Sequence, residues 1–464
     1  MSVPVALLVP WAAGTLLIGL DGRRRSVMWL AVAALTASLA GLLAVAARVL
    51  PTTAPPGAGH VVTGGWPAGV GIVLRADALG LSFALLAILV LLVVVATEAA
   101  AGSTSRTFPG LVLLLAAGLT GLFLTGDVFT FYVFFELSMT ASYALTSFGN
   151  RPRQLRAALV FAAVNLFGSF VFLIAVAGTY RVTGALAMSQ VADRIGEVDQ
   201  NAALLIAVGF FVAFSVKLGL FPFHYWLPTV YTSASPGVAA ILSGAVANIG
   251  AYGLLRLGGE VFTAQARFAS TALVLLGIAS ILYGAVLAIA RGDAAEMLAY
   301  SAIGQVGYVL VALGIGGPLG FTAAVLYSIV NGLNKTLLFL VTGLRGMLVA
   351  AAFAVGAFSV AGVPPAAGFI GKLTMFQAGV AAGSPALVVL LVLGSTLSLI
   401  YLFQVYQRDF WCENTTAGAA PATPLAGRLV VGALAAVVLA AGIWPEPLLA
   451  LSQDAATVLV GGRR

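Results

Sequence analysis

Apolar runs about 20 residues long recur along the whole chain, separated by short polar connections. A run of that length crosses ~30 Å of hydrocarbon as a helix. Because lipid offers no partners to backbone N–H and C=O groups, a spanning segment must satisfy them itself. With 61% hydrophobic and 8% charged residues among 464, and a mean hydropathy of +1.10, no long hydrophilic stretch is left for a soluble domain. The expectation is an all-α polytopic membrane protein. The first run has no basic segment ahead of it, its arginines coming afterwards at Arg23–Arg25, so it reads as a retained helix rather than a cleaved leader.

Fourteen spans are expected, at about 3–20, 27–49, 77–100, 109–125, 127–148, 156–179, 202–230, 236–257, 268–290, 296–315, 318–346, 349–381, 384–407 and 426–450. The connection from Pro51 to Arg75 reads as a Pro/Gly/Thr-rich loop, and Thr183–Gln200 as a short interfacial helix. The stretch Arg408–Arg428, with Asn414-Thr415-Thr416, reads as solvated loop. Eleven arginines fall in loops after odd-numbered spans and eight on the opposite side, including Arg75, Arg256, Arg463 and Arg464. By the positive-inside rule the odd loops are cytoplasmic and both termini external, in a bacterial-type cell membrane.

The +7 net charge comes from these loop arginines and suits anionic lipid headgroups rather than nucleic acid, since no basic cluster exceeds Arg23–Arg25. A single cysteine, Cys412, excludes an internal disulfide or a cysteine-held cluster within one chain. The two histidines are far apart, and neither a metal-ligand spacing nor a cofactor motif is visible. No nucleotide loop or nucleophile–base pair marks an enzyme, so the reading is a transport subunit.

All three lysines, Lys217, Lys335 and Lys372, lie inside apolar segments, whereas every loop cation is arginine. Arginine stays protonated almost anywhere; a desolvated lysine gains and loses its proton readily. A lysine at mid-membrane costs about 2.5–3.5 kcal/mol on insertion scales. Lys217 is followed, within Ser215–Pro228, by Pro222 and His224. Proline removes a backbone hydrogen bond and clashes with the preceding turn. Lysine and proline together describe a broken helix with an ionisable group beside the break; the plainer reading is a snorkelling lysine ahead of an ordinary kink. A partner stretch, Val360–Phe376, carries Pro364-Pro365, three glycines and Lys372. Five spans separate the two breaks, so equivalent halves would lie in opposite orientations, as in inverted-repeat transporters.

Glu136 lies in an apolar aromatic run with no sequence neighbour to neutralise it. Lys217 is its candidate partner from another helix, and competition between that pair and a proton makes a switch; a structural ion pair is the alternative. Asn331 and Lys335 share a helix face. Together with Asn334 they form a polar band that suits either a hydrated track or helix–helix hydrogen bonding. Asn248 has the same two readings. Gln305 and Tyr308, one turn apart, extend a hydrogen-bonded path. His224 is either a relay near neutral pH or the cap of a broken helix. Asp127 and Glu98 sit at span ends and read as interface residues.

The segments Phe134-Phe135-Glu136-Leu137, Val216-Lys217 through Leu227-Pro228, Ser235-Pro236, Leu298–Tyr308, Asn334–Phe339 and Gly368–Lys372, in this order, resemble the antiporter-like subunits shared by Mrp-type multisubunit cation/proton antiporters and the membrane arm of respiratory complex I. Length and the lack of a long C-terminal extension point to the D-type antiporter subunits. The resemblance covers roughly residues 70–410. It implies about fourteen transmembrane helices with two inverted five-helix repeats, each with a broken helix. In those terms residues 1–100 are N-terminal helices, 109–257 the first repeat, 268–407 the second, and 426–464 a last helix and tail.

The resemblance also implies a proton relay along Glu136, Lys217, Lys335 and Lys372, with Glu136–Lys217 as a charge pair and Lys372 as the terminal site. The implied role is a subunit of a hetero-oligomeric complex exchanging Na⁺ or another monovalent cation for H⁺. Asn248 and Asn331 stand where the family usually carries titratable side chains, and Ala295-Glu296 replaces a basic pair, so water must carry the middle of the relay. Two other readings are a membrane-arm subunit of a complex I-like or hydrogenase-like redox pump, and a non-conducting structural subunit.

Overall fold

The computed structural model describes residues 3–51, 59–66, 71–102, 105–149, 151–411 and 425–461. Cys412, Asn414–Thr416, Arg463 and Arg464 lie outside them. Among the described residues eleven helices are long and apolar enough to cross a membrane, and Val3–Ile18, Phe108–Phe123 and Met347–Ala361 are shorter apolar helices.

In chain order the helices are α1 (Val3–Ile18), α2 (Arg25–Val49), α3 (Ala78–Ala101), α4 (Phe108–Phe123), α5 (Val128–Thr146), α6 (Pro152–Thr183), α7 (Met188–Arg194), α8 (Gln200–Leu218) and α9 (Trp226–Ser233). There follow α10 (Pro236–Ile241), α11 (Asn248–Arg256), α12 (Thr263–Phe268), α13 (Ser270–Ile289), α14 (Ala294–Ile315), α15 (Gly317–Thr342), α16 (Met347–Ala361), α17 (Ala367–Ala381), α18 (Pro385–Tyr406), α19 (Leu425–Ile443) and α20 (Glu446–Leu459). The Pro51–Arg75 connection is more than loop: β1 (His60–Val62) and β2 (Val73–Arg75) pair antiparallel, with His60 opposite Arg75. The expected interfacial helix in Thr183–Gln200 is α7.

The centre of the protein is α15. It packs against α3, α10, α14, α16, α17, α19 and α20, and its apolar stretch is buried throughout. Most of α3 is buried beside it, while α6 and α13 leave large apolar side chains such as Leu159, Ile174 and Leu275 exposed, as a lipid-facing surface does.

Both expected breaks are present and are closed in the same way. After α8, the Gly219 N–H donates to the Val216 carbonyl and the Leu220 N–H to that of Ser215. After α16, the Gly362 N–H donates to Ser359 and the Val363 N–H to Phe358. These are Schellman closures, which need a left-handed residue that glycine adopts without strain; φ is +68° at Gly219 and +80° at Gly362. The prolines then keep the helix from resuming until Trp226 and Ala367.

Two expectations need correction. The eighth span is not a plain helix over 236–257: α10 passes into a π-helical turn at Leu242–Val246, and α11 into another at Leu257–Val261. The region past residue 443 is not the end of a longer span with a tail. Pro445 cannot continue α19, and Pro447 sits in the first turn of α20, where its missing N–H costs nothing. The small buried face of α20, Ser452, Ala455 and Ala456, packs on α15 and α3.

Candidate functional site

Lys217 lies in the last turn of α8 and is 2% exposed. Its ammonium stands 4.9 Å from the centre of the Phe161 ring on α6, within cation–π reach. The expected direct pair with Glu136 is absent: among the described residues no carboxylate lies within 4.0 Å of Lys217. Glu136, half-buried on α5, instead accepts a hydrogen bond from the Ser169 hydroxyl of α6. The sequence hides this partner, since Ser169 is 33 residues away on a helix read only as an apolar span. The aromatic residues near Glu136 form core: Phe131 stacks on Phe214, and Phe135 meets Phe172 edge-on.

At the break itself the Trp226 indole N–H donates to the Val216 carbonyl at 3.0 Å, taking up backbone that the ended helix leaves open. His224 is not that cap. Its ring is buried against Phe221 and Tyr283, with Nδ1 lacking a hydrogen-bond partner. In the second break the corresponding work falls to a lysine: Lys372 Nζ donates to the Ala361 carbonyl at 3.4 Å, and lies 4.9 Å from the centre of the Tyr308 ring.

Between the breaks runs α15. Tyr327, Asn331 and Lys335 recur at four-residue spacing and so share one face. Lys335 is 6% exposed and, among the described residues, makes no ion pair. Asn331 is buried likewise, and the Asn334 side-chain oxygen has no partner. Asn248 donates to the Gly244 carbonyl at 2.6 Å, where the first π-helical turn widens the eighth span. Irregular turns of this kind are frequent at functional positions. The Gly244 backbone meets Gly332 and Thr336, and Asn248 meets Gly332, so this turn packs on the stretch of α15 that carries Lys335.

Gln305 is the centre of a polar cluster larger than the sequence suggests. Its amide donates to Ser398 and to the Tyr401 hydroxyl, each at 3.2 Å, and accepts from Tyr327. Tyr401 and Ser301 are hydrogen-bonded at 2.8 Å. All these groups are buried. Tyr308 leaves this cluster, its hydroxyl donating to Leu391 at 3.3 Å while its ring lies beneath Lys372. The four-residue step from Tyr327 to Asn331 was the available signal for Tyr327; Ser398 and Tyr401 offered only their i, i+3 spacing.

A second buried polar centre overturns the reading of Arg75 and Arg256 as loop cations. Arg256 is completely buried and grips Asp77 bidentately, at 2.8 and 2.7 Å. It also bonds Glu260 at 2.8 Å and the Tyr252 hydroxyl at 3.1 Å. Arg75 bonds Asp77 at 2.9 Å and pairs with Glu260. Asp77 caps α3 through the Gly80 N–H. Burial by itself would raise its carboxyl, but Arg256 and Arg75 more than offset that and hold it at about 2. The quartet is neutral and ties the hairpin, the start of α3 and the end of the eighth span together. Asp127 likewise caps α5 through Thr130 at 2.7 Å, as an interface residue would.

Among the described residues no group of three or more His, Cys, Asp or Glu side chains is placed to hold a metal ion. What the arrangement offers is ionisable groups without counter-charges, spaced along a buried polar seam between two broken helices. That is the class of an intramembrane ion-translocating subunit. The family described as NADH:quinone oxidoreductase/Mrp antiporter, TM, matches residues 125–398, and the chain belongs to it.

Among its relatives is the D-type subunit of the Na(+)/H(+) antiporter of Alkalihalophilus pseudofirmus, 32% identical over 76% of either chain. Its fold is that of a chain in the Mrp complex of Dietzia sp. DQ12-45-1b, with a TM-score of 0.87 at 28% identity over 99% of this chain and 96% of that one. It is also that of a chain in respiratory complex I of Thermus thermophilus, with a TM-score of 0.85 at 26% identity over 99% and 100%. Both are chains of multisubunit membrane complexes.

Proposed function

We propose that this chain is the proton-translocating subunit of a multisubunit monovalent cation/proton antiporter, with Na⁺ as the exchanged cation. The observation that carries it is the placement of Lys217, Lys335 and Lys372, each buried and none with a carboxylate within 4.0 Å among the described residues. An amine kept dry without a counter-charge costs stability, and a relay gives that cost a purpose. In this reading Glu136 exchanges between Ser169 and Lys217. Protons pass by way of Asn248, Asn331, Asn334 and Lys335, then through the Gln305–Tyr327 cluster beside Tyr308, to Lys372. Residues 109–257 and 268–407 are the two repeats, flanked by 1–100 and 426–464, and the identical Schellman closures of the breaks support that division. His224, with its buried Nδ1 unpartnered among the described residues, supports this path beside the first break.

The relatives named as D-type subunits of Na(+)/H(+) antiporters support the cation-exchange reading. A second reading, a membrane-arm subunit of a redox-driven pump, is supported by the full-length likeness to a complex I chain. Cation-induced proton flux in inverted membrane vesicles carrying the whole complex separates them. Na⁺ addition should collapse a preformed pH gradient in wild type, and Lys217→Ala and Glu136→Ala should lose that response at matched assembly. A complex that assembles but responds to no monovalent cation would be a redox pump or a scaffold.

A further inference from the structure

We propose that Glu98 is the proton-exchanging carboxylate at the end of the relay that faces the loops after the odd-numbered spans. This role rests on the transport reading above. Glu98 lies one turn before the end of α3, where an interface residue would turn outward. Instead its Oε1 lies against the backbone of Gly237, so close that a Cβ on Gly237 would sit 2.7 Å from it. It makes no hydrogen bond or ion pair among the described residues, and Arg428, whose helix α19 packs on α3, forms no pair with it. A carboxylate placed in a membrane helix, half-buried against a neighbouring helix and left without a partner among the described residues, is a functional group before it is a structural one.

Its surroundings connect it in both directions. Pro236 and Ala239, which flank Gly237 in α10, line a neighbouring cleft of about 420 Å³ together with Asp293, Arg345, Arg408 and Asp409. In this proposal that cleft, one residue along α10 from Gly237, supplies the water. Inward, α3 runs from Glu98 past Val94, which also touches Gly237, to Val90, which meets Gly244. Eight residues of helix make this about 12 Å. At Gly244 the seam already described begins: Thr336 packs on the same glycine, Asn248 donates to its carbonyl, and Lys335 is the residue next to Thr336. The two glycines of the eighth span, Gly237 and Gly244, therefore lead from Glu98 on α3 to the stretch of α15 that carries the middle lysine.

The step is a plain proton transfer. Glu98 takes a proton from cleft water and becomes the neutral acid. It passes that proton through water along the seam to the Lys335 amine, which becomes the ammonium, and the carboxylate is restored. Gly237 is required in this scheme because a side chain there would displace the carboxylate from the seam.

The test uses the whole complex in inverted vesicles, with Lys217→Ala as the transport-dead control. Glu98→Gln keeps the shape but cannot exchange the proton, and should lower the initial Na⁺-driven flux at least about tenfold. Glu98→Asp, which keeps the carboxylate, should restore most of it, as a purely structural role for the longer side chain would not allow. Gly237→Ala should slow flux in the same direction while leaving assembly intact. Wild-type flux in Glu98→Gln or in Gly237→Ala, with Lys217→Ala inactive, overturns the role of Glu98 and leaves the transport reading standing. Loss of assembly in Glu98→Gln without rescue by Glu98→Asp overturns it in favour of a structural residue. Absence of cation-driven flux in wild type removes both.

Discussion

The quartet around Arg256 and the lysine seam around Lys335 are both buried within the helix bundle, yet they are built in opposite ways. In the quartet two guanidinium groups face two carboxylates, nearly every donor has an acceptor, and the arrangement joins three elements distant in sequence. In the seam Lys217 and Lys372 have a ring or a carbonyl for neighbour, and Glu136 bonds a serine. Buried charge that is fully matched resists change; buried charge left unmatched can be changed by a single proton. The first pattern holds the fold, and the second is available to do work.

The largest effect expected from breaking this contrast is in the quartet. Arg256→Ala leaves Asp77 and Glu260 to share Arg75, an uncompensated buried charge, at a cost of about 3–5 kcal/mol. Thermal unfolding of the purified complex should show a large downward shift, with flux falling only as far as assembled protein is lost. An Arg256→Ala complex of wild-type stability would mean that the quartet is not a clamp.

The seam should answer the corresponding change with the opposite sign. Lys335→Met removes an unpaired buried amine and keeps its apolar stem, so the complex should gain stability, by up to about 3 kcal/mol. The same variant should lose cation-driven proton flux. A variant that loses stability as Arg256→Ala does would show that Lys335 has a structural partner after all.

Acid sharpens the comparison further. The Asp77 carboxyl stands at about 2, below its ordinary 3.8. A group depressed in the folded state contributes stability that is complete above its ordinary value and lost as pH falls through the folded one. The contribution is about 2 kcal/mol. The quartet should hold undiminished down to about pH 4 and weaken as pH falls towards 2. Asp77→Asn should remove that dependence from the acid limb of the stability curve. Acid unfolding that is identical in the two proteins would assign the limb to other carboxylates.

How much of this was legible in advance follows from which forces act locally. The spans, both helix breaks and the seclusion of the three lysines are consequences of lipid solvation and of proline and glycine backbone chemistry, which a stretch of sequence displays by itself. The quartet was not visible, because Arg75 and Arg256 look like any loop arginine until Asp77 and Glu260 are brought to them; Arg256 and Asp77 are 179 residues apart. The choice of Ser169 over Lys217 by Glu136 has the same origin, being settled by how α5 and α6 pack. Glu98 illustrates the middle case: its position at a span end was legible, but the inward direction of its side chain was not.

The smallest predicted effect bears on that choice. In the resting arrangement the Ser169 hydroxyl donates to Glu136 and competes with Lys217 for its charge. Ser169→Ala removes the competitor without touching either ionisable group. A hydrogen bond to a half-exposed carboxylate contributes about 1 kcal/mol, or roughly a fivefold change in an equilibrium. The freed carboxylate should spend more time against Lys217, and if opening of that pair precedes proton transfer, flux should fall by up to about fivefold with stability almost unchanged. Unaltered flux in Ser169→Ala would mean that Glu136 reaches Lys217 without giving up the serine, and that the separation between them is a resting geometry rather than one limb of a switch.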